Sequence, residues 1–149
     1  SSSKQVLTFS VREVHRFNLY QDTEAETKRF AKWVDKLPKN TIVGCCITDT
    51  AMAKTRPLNS TVYESFRKLG ASDSLTLIGY REPFCFLGWK GAAKGKGVYA
   101  LDAKKQSKQL LRLDAVVSMD KGELSMTWKS SQVKLLEQLP PAKKRRTEE

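Results

Sequence analysis

Scarcity removes most chemistries from this chain before any motif is read. The 149 residues hold one histidine, His15, and three cysteines, Cys45, Cys46 and Cys85. No C-x-x-C pair is present, so a zinc site lacks its usual ligand spacing and no metal is expected. An odd cysteine count without framework spacing argues against a disulfide scaffold and suits a reducing compartment. Cys45 and Cys46 are neighbours inside an apolar run, face opposite sides of any strand, and read as small buried hydrophobes. No apolar run approaches the roughly 20 residues that a membrane span needs, and no secretory signal pattern is seen. His15 lies in "REVHRF", and nothing in the sequence ties it to a serine or cysteine. It reads as an exposed or hydrogen-bonded residue at a strand end. Acids are scarce too: 16 against 27 lysines and arginines, a formal net charge of +11.

The bases are unevenly spread. Residues 86–112, "FLGWKGAAKGKGVYALDAKKQSKQLLR", pack four glycines and seven bases into 27 positions, with Asp102 the only acid. A P-loop would place a glycine five residues before Gly95 and a hydroxyl after Lys96. Lys90 and Gly97 occupy those positions, so a nucleotide cradle is excluded. What remains is a flexible glycine–lysine loop. Glycine lets backbone approach a partner closely, and lysine neutralises phosphates with release of counterions. Lys90, Lys94, Lys96, Lys104, Lys105 and Lys108 would supply the charge, and Trp89 and Tyr99 could stack on bases. The competing reading packs both aromatics on the sheet and leaves the lysines as a solvated face. A second basic cluster, Lys143, Lys144, Arg145 and Arg146 after a proline pair, reads as a nuclear-import patch or a solubilising tail.

With 40% hydrophobic residues the chain can build one domain with a core. The alternation in "QVLTFSVREV" predicts a strand with one wet face. "DTEAETKRFAKWVDKLP" predicts a helix: Asp22 or Thr23 as cap, Glu24 and Glu26 in the first turn, an apolar stripe of Phe30, Trp33, Val34 and Leu37, and Pro38 as stop. "TIVGCCITDT" reads as a strand covered on both faces. "STVYESFRKLG" reads as a helix capped by Ser60, burying Val62, Phe66 and Leu69 and ended by Gly70. "SLTLIGYR" and "FCFLGWK" read as strands, followed by a hairpin of "LLRLDAVVSM" and "ELSMTW" turning at Asp120-Lys121-Gly122. "QVKLLEQL" reads as a short last helix. Helices therefore cover a central sheet in one domain, expected over residues 4–136, with a basic disordered tail over 137–149.

Two ordered segments, "RFNLYQDTEAETKRFAKWVDKLPKNTIV" and "STVYESFRKLGASDSLTLIGYREPFCFLGWKG", resemble the interleukin-like EMT-inducer (PANDER-like) domain family. The matching pieces are Phe17-Asn18-Leu19-Tyr20, Pro38 with Thr41-Ile42-Val43, Leu69-Gly70, Gly79-Tyr80-Arg81-Glu82, and Phe86 with Gly88-Trp89-Lys90-Gly91. The family includes secreted cytokine-like proteins, the stem of a protein-O-mannose N-acetylglucosaminyltransferase and parts of cell-surface hyaluronidases. The resemblance implies an α+β fold of mixed or antiparallel β-sheets lined by short helices, and a binding module rather than an enzyme, with no cofactor. In glycan-binding members an aspartate after the central strand and the arginine of an R-D motif sit at the sugar site. Asp49 and Arg81 match those positions, with Glu82 in place of the motif aspartate. Phe84 stands where the family has a tryptophan, which removes a stacking surface.

These readings lead to a non-catalytic interaction domain of a nuclear protein, binding RNA, DNA or an acidic protein through its basic loop. The alternatives are a carbohydrate-binding module using Asp49, Arg81 and Glu82, and a pure protein-docking scaffold.

Overall fold

The computed structural model describes residues 8–21, 23–47, 49–102 and 111–128. Its elements are α1 (Thr23–Lys36), β1 (Ile42–Ile47), α2 (Ser60–Arg67), a 3-10 turn (Asp73–Leu77), β2 (Phe84–Trp89), β3 (Val98–Leu101), β4 (Ala115–Asp120) and β5 (Glu123–Trp128). Strands β1, β2 and β3 form an antiparallel sheet with β2 in the centre, and β4 pairs with β5 as a separate antiparallel hairpin. Two helices and two small antiparallel sheets make this the expected α+β fold.

The period-2 pattern of β2 divides the sheet into two chemical faces. Phe84 and Phe86 point to the helices, where they join Val43, Phe30, Val34, Val62, Phe66, Leu69 and Leu101 in one buried cluster. Phe30 and Phe66 lie 5.3 Å apart by ring centroid, and Phe66 meets Phe86 edge-on at 5.4 Å. Each buried phenylalanine is worth roughly 1.5–3 kcal/mol over exposure. Trp89 points the other way and packs with Ala92 and Leu124, flanked by Ile42, Val117 and Met126, so the β4–β5 hairpin covers the Trp89 end of that face.

Local chemistry sets the helices. Glu24 and Glu26 occupy the first turn of α1, favourable to its dipole, and Thr27, Phe30 and Val34 form its buried stripe. Trp33 is half-buried against the same core. The cap of α2 is Asn59 rather than Ser60: its side chain accepts from Thr61 N at 2.9 Å, and Ser60 is the first helical residue. Gly70, at φ 96°, ends α2 as expected, with Ala71 N donating to Phe66 O and Gly70 N to Arg67 O, both at 3.0 Å.

Three strand expectations change. Residues 8–14 form no strand; Val11 and Val14 are 83% and 86% exposed. Their alternation is present, but without a ladder partner an isolated strand has no stability. "SLTLIGYR" is a 3-10 turn and a tight turn, because the Ser72 side chain accepts from Ser74 N at 3.3 Å and Leu75 and Ile78 bury at the i, i+3 spacing such a helix aligns. β1 is an edge strand whose second face is covered only at Ile42, with Gly44 and Cys46 exposed. The β4–β5 turn is the expected one: Asp120 pairs with Glu123 across Lys121 and Gly122, both at positive φ. Parts of the expected 4–136 domain, the helix over "QVKLLEQL", the cap Asp22 and the 137–149 tail lie outside the described residues.

Candidate functional site

Antiparallel pairing of β1 with β2 sets Ile47 opposite Phe84. The chain leaving β1 through Asp49 and Thr50 therefore emerges beside the chain entering β2 through Arg81 and Glu82. The structure joins these two loops: the Arg81 amide donates to Thr50 Oγ1 at 3.3 Å. Thr50 is itself held in place, its hydroxyl donating to Met52 O at 2.7 Å and accepting from Met52 N at 3.3 Å.

The Arg81 turn has an internal brace. Glu82 is 5% exposed, and its carboxylate accepts from Gly79 N at 2.7 Å. A Cβ on Gly79 would lie 2.9 Å from the Glu82 carboxyl carbon, so a larger residue there would have to displace the carboxylate from the brace. Within this turn Arg81 adopts φ 57°, a left-handed conformation that costs a non-glycine residue about 1–2 kcal/mol. Its guanidinium sits 5.3 Å from the Tyr80 ring centroid. Arg81 and Asp49 are both exposed, whereas Glu82 is a buried structural group rather than a ligand contact.

The basic loop is organised differently, and several expectations about it are corrected. It is not flexible. Gly91 N donates to Lys68 O, Gly95 N to Ala71 O and Gly97 N to Gly70 O, at 3.1, 3.4 and 2.9 Å, pinning the loop to the end of α2. Gly70 is required by that approach, since a Cβ on it would stand 2.9 Å from Gly97 N, while a Cβ on Gly97 would meet the Phe86 ring at 2.9 Å and Leu87 O at 3.0 Å. Trp89 is 6% exposed and cannot stack on a base from its place in the core. Tyr99 is half-buried against the helix-side cluster, 6.3 Å from the Phe84 ring.

The lysines of this loop divide by partner. Lys90 Nζ donates to Val34 O at 2.7 Å and to Asp35 O at 3.2 Å, capping the C-terminal carbonyls of α1. Lys94 pairs with Asp73 at 2.6 Å, and Arg67 reaches the same carboxylate at 3.2 Å. The Lys94 hydrogen bond, then Arg67, holds the Asp73 carboxyl below its ordinary range. Lys96 is exposed. Lys104, Lys105 and Lys108, with the Lys143, Lys144, Arg145 and Arg146 cluster, lie outside the described residues.

The structure thus brings Asp49 and Arg81 to one sheet edge, and adds Thr50 and Tyr80, which sequence reasoning missed. Their signal lay in the strand register, which no local pattern reveals. Among the described residues no cluster of His, Cys, Asp and Glu is arranged to hold a metal, and no helix is long and apolar enough to cross a membrane.

The family model described as "Interleukin-like EMT inducer" matches residues 5–92. That span contains both loops of the Asp49–Arg81 edge and stops before Lys94 and Lys96. No curated protein matches the chain at a significant level.

Proposed function

The chain belongs to the interleukin-like EMT inducer family, and from that premise we propose that it is a non-catalytic module whose Asp49–Arg81 edge binds a carbohydrate. The observation that carries this reading is Arg81 itself. A non-glycine residue is held at φ 57° by a buried carboxylate and a threonine hydroxyl, with its charged end left in solvent. Strain of this kind persists where the surroundings over-determine it, and it gathers at ligand-binding sites. The guanidinium donates to ring and hydroxyl oxygens, and Asp49 accepts from hydroxyls. Tyr80, beside the guanidinium, offers an aromatic edge where the family tryptophan has given way to Phe84, which is buried. An open edge of this kind predicts weak affinity, in the millimolar range.

Amide NMR titration with mono- and disaccharides tests the reading. The expected result is saturable shifts at residues 49–52 and 79–82, little affected by salt and lost in Arg81→Ala. Titration curves that are the same in Arg81→Ala and the parent chain would remove it.

One observation favours a second reading. The bonds from the basic loop to the end of α2 bring Lys94 beside Arg67 on Asp73, near Lys68 with its partner Asp35, and Lys96 is exposed in the same loop. That cluster suits a polyanion, either nucleic acid or an acidic protein, held through backbone charge and weakened by salt. Nuclear residence through Lys143, Lys144, Arg145 and Arg146 belongs to this second reading.

A further inference from the structure

The edge position of β1 exposes one more pair of reactive groups. Cys46 on β1 and Cys85 on β2 are directly opposed in the antiparallel register. Their Sγ atoms lie 3.5 Å apart, and both are free thiols. Cys46 is exposed and Cys85 half-buried. Opposed residues of an antiparallel pair have Cβ atoms about 4.5–5.5 Å apart, which meets the upper end of the roughly 3.5–4.5 Å that a disulfide spans. Side-chain rotation with a small closing of the strands brings the sulfurs into bonding range. Cys45 takes no part in this, because its neighbouring position on the strand turns it to the helix side, packed against the core.

We propose that Cys46 and Cys85 form a reversible intrachain disulfide when the protein meets a disulfide oxidant of the glutathione type. The exposed Cys46 thiol loses its proton, and its sulfur attacks one sulfur of the oxidant. A Cys46–glutathione mixed disulfide forms, and one glutathione thiolate leaves. The Cys85 sulfur, giving up its own proton, then attacks the Cys46 sulfur and expels the second glutathione thiolate. The two protons released by the protein end on the two glutathione thiolates. The two cysteines lose two electrons and glutathione disulfide gains them.

The order of the steps follows from exposure. Burial, then the hydrogen bond and charge of Cys46, pushes the Cys85 thiol up to about 12, which makes it a poor first nucleophile. Capping of Cys46 by glutathione removes the last two of those three influences. Cys45, pushed up to about 12 mainly by burial, is shielded from the reaction.

The position gives the bond a structural consequence. One register step beyond Cys46↔Cys85 is Ile47↔Phe84, the pair from which the Asp49 and Arg81 loops diverge. A covalent staple there fixes the separation of the two loops. Formation of the bond does not depend on what those loops bind.

Intact-mass analysis of the full chain under a glutathione redox series tests the proposal. Expected are loss of two hydrogens, a fall from three titratable thiols to one, and a Cys46–Cys85 crosslinked peptide reversed by dithiothreitol. Cys45→Ser leaves the loss of two hydrogens and the Cys46–Cys85 crosslink unchanged, its two thiols falling to none. Cys85→Ser stops the reaction at a glutathione adduct on Cys46, and Cys46→Ser prevents it. A parent chain that stays reduced, stops at the adduct, crosslinks through Cys45 or joins into disulfide-linked dimers would overturn the proposal. Saccharide titration of the oxidised chain is read separately, so failure of the carbohydrate reading leaves the thiol result standing.

Discussion

The two ends of β2 carry cations in opposite ways. At its start, Arg81 occupies a left-handed backbone position although it is not glycine, and its guanidinium stays exposed. At its end, the left-handed positions are Gly91 and Gly95, and the first two lysines already have partners: Lys90 on the carbonyls of α1, Lys94 on Asp73. Strain is retained at one end and designed out at the other. Charge is presented at one end and used for packing and capping at the other. A glycine–lysine stretch is therefore no evidence of a grip. Here Gly91 and Gly95 supply left-handed turns, and of the three described lysines one, Lys90, caps α1, one, Lys94, is paired with Asp73 at the surface, and Lys96 is exposed.

The largest expected effect tests the claim that the far end of β2 is structural. A Cβ at Gly88 would lie 2.1 Å from Leu69 O and 2.6 Å from the Phe86 ring. Leu69 O is also the acceptor for Trp89 N at 3.0 Å, so it cannot retreat without breaking a backbone bond. Gly88→Ala is expected to destabilise the domain by about 3 kcal/mol or more, read from the urea midpoint. A loss below about 1 kcal/mol would mean that β2 and α2 are not locked together as described.

What was legible in the sequence follows the range of the interaction. α1 and α2 carry their caps, stripes and stops locally, so their extents were readable from Glu24, Phe30, Pro38 and Gly70. The Lys121–Gly122 turn was readable for the same reason. β3, "VYAL", was hidden inside a stretch that composition marked as loop. Its burial depends on lying beside β2, a non-local fact. "SLTLIGYR" misled because the Ser72 cap and the Leu75/Ile78 spacing compete with alternation and win. Asp49 and Arg81 came from family resemblance. Thr50, Tyr80 and the opposed thiols of Cys46 and Cys85 required the β1–β2 register, which no single segment encodes.

A smaller effect addresses the near end of β2. Arg81→Asn puts a residue that tolerates positive φ into the same turn and removes the guanidinium. Stability is expected to rise by about 0.5–1 kcal/mol while saccharide shifts at residues 49–52 disappear. That opposition is the signature of strain kept for binding. A variant that loses stability would show that Arg81 is held by favourable contacts, and the contrast between the two ends of β2 would dissolve.

The smallest effect returns to Lys94. Its pair with Asp73 is exposed on both sides, 59% and 64% by side chain, so solvent and salt screen most of its energy. Lys94→Ala is expected to leave the urea midpoint unchanged within error. Its mark is on the proton. The Asp73 carboxyl, now below its ordinary 3.8 chiefly through Lys94, should titrate closer to that value in the variant yet stay beneath it, because Arg67 remains. A folded-state value depressed below the unfolded one adds stability above the unfolded value and loses it as pH falls through the folded one. Carboxyl NMR titration reads both ends of that shift. If Asp73 does not move when Lys94 is removed, Lys94 is a free cation after all, and the basic side of the molecule has one more charge to offer a polyanion than its ion pairs suggest.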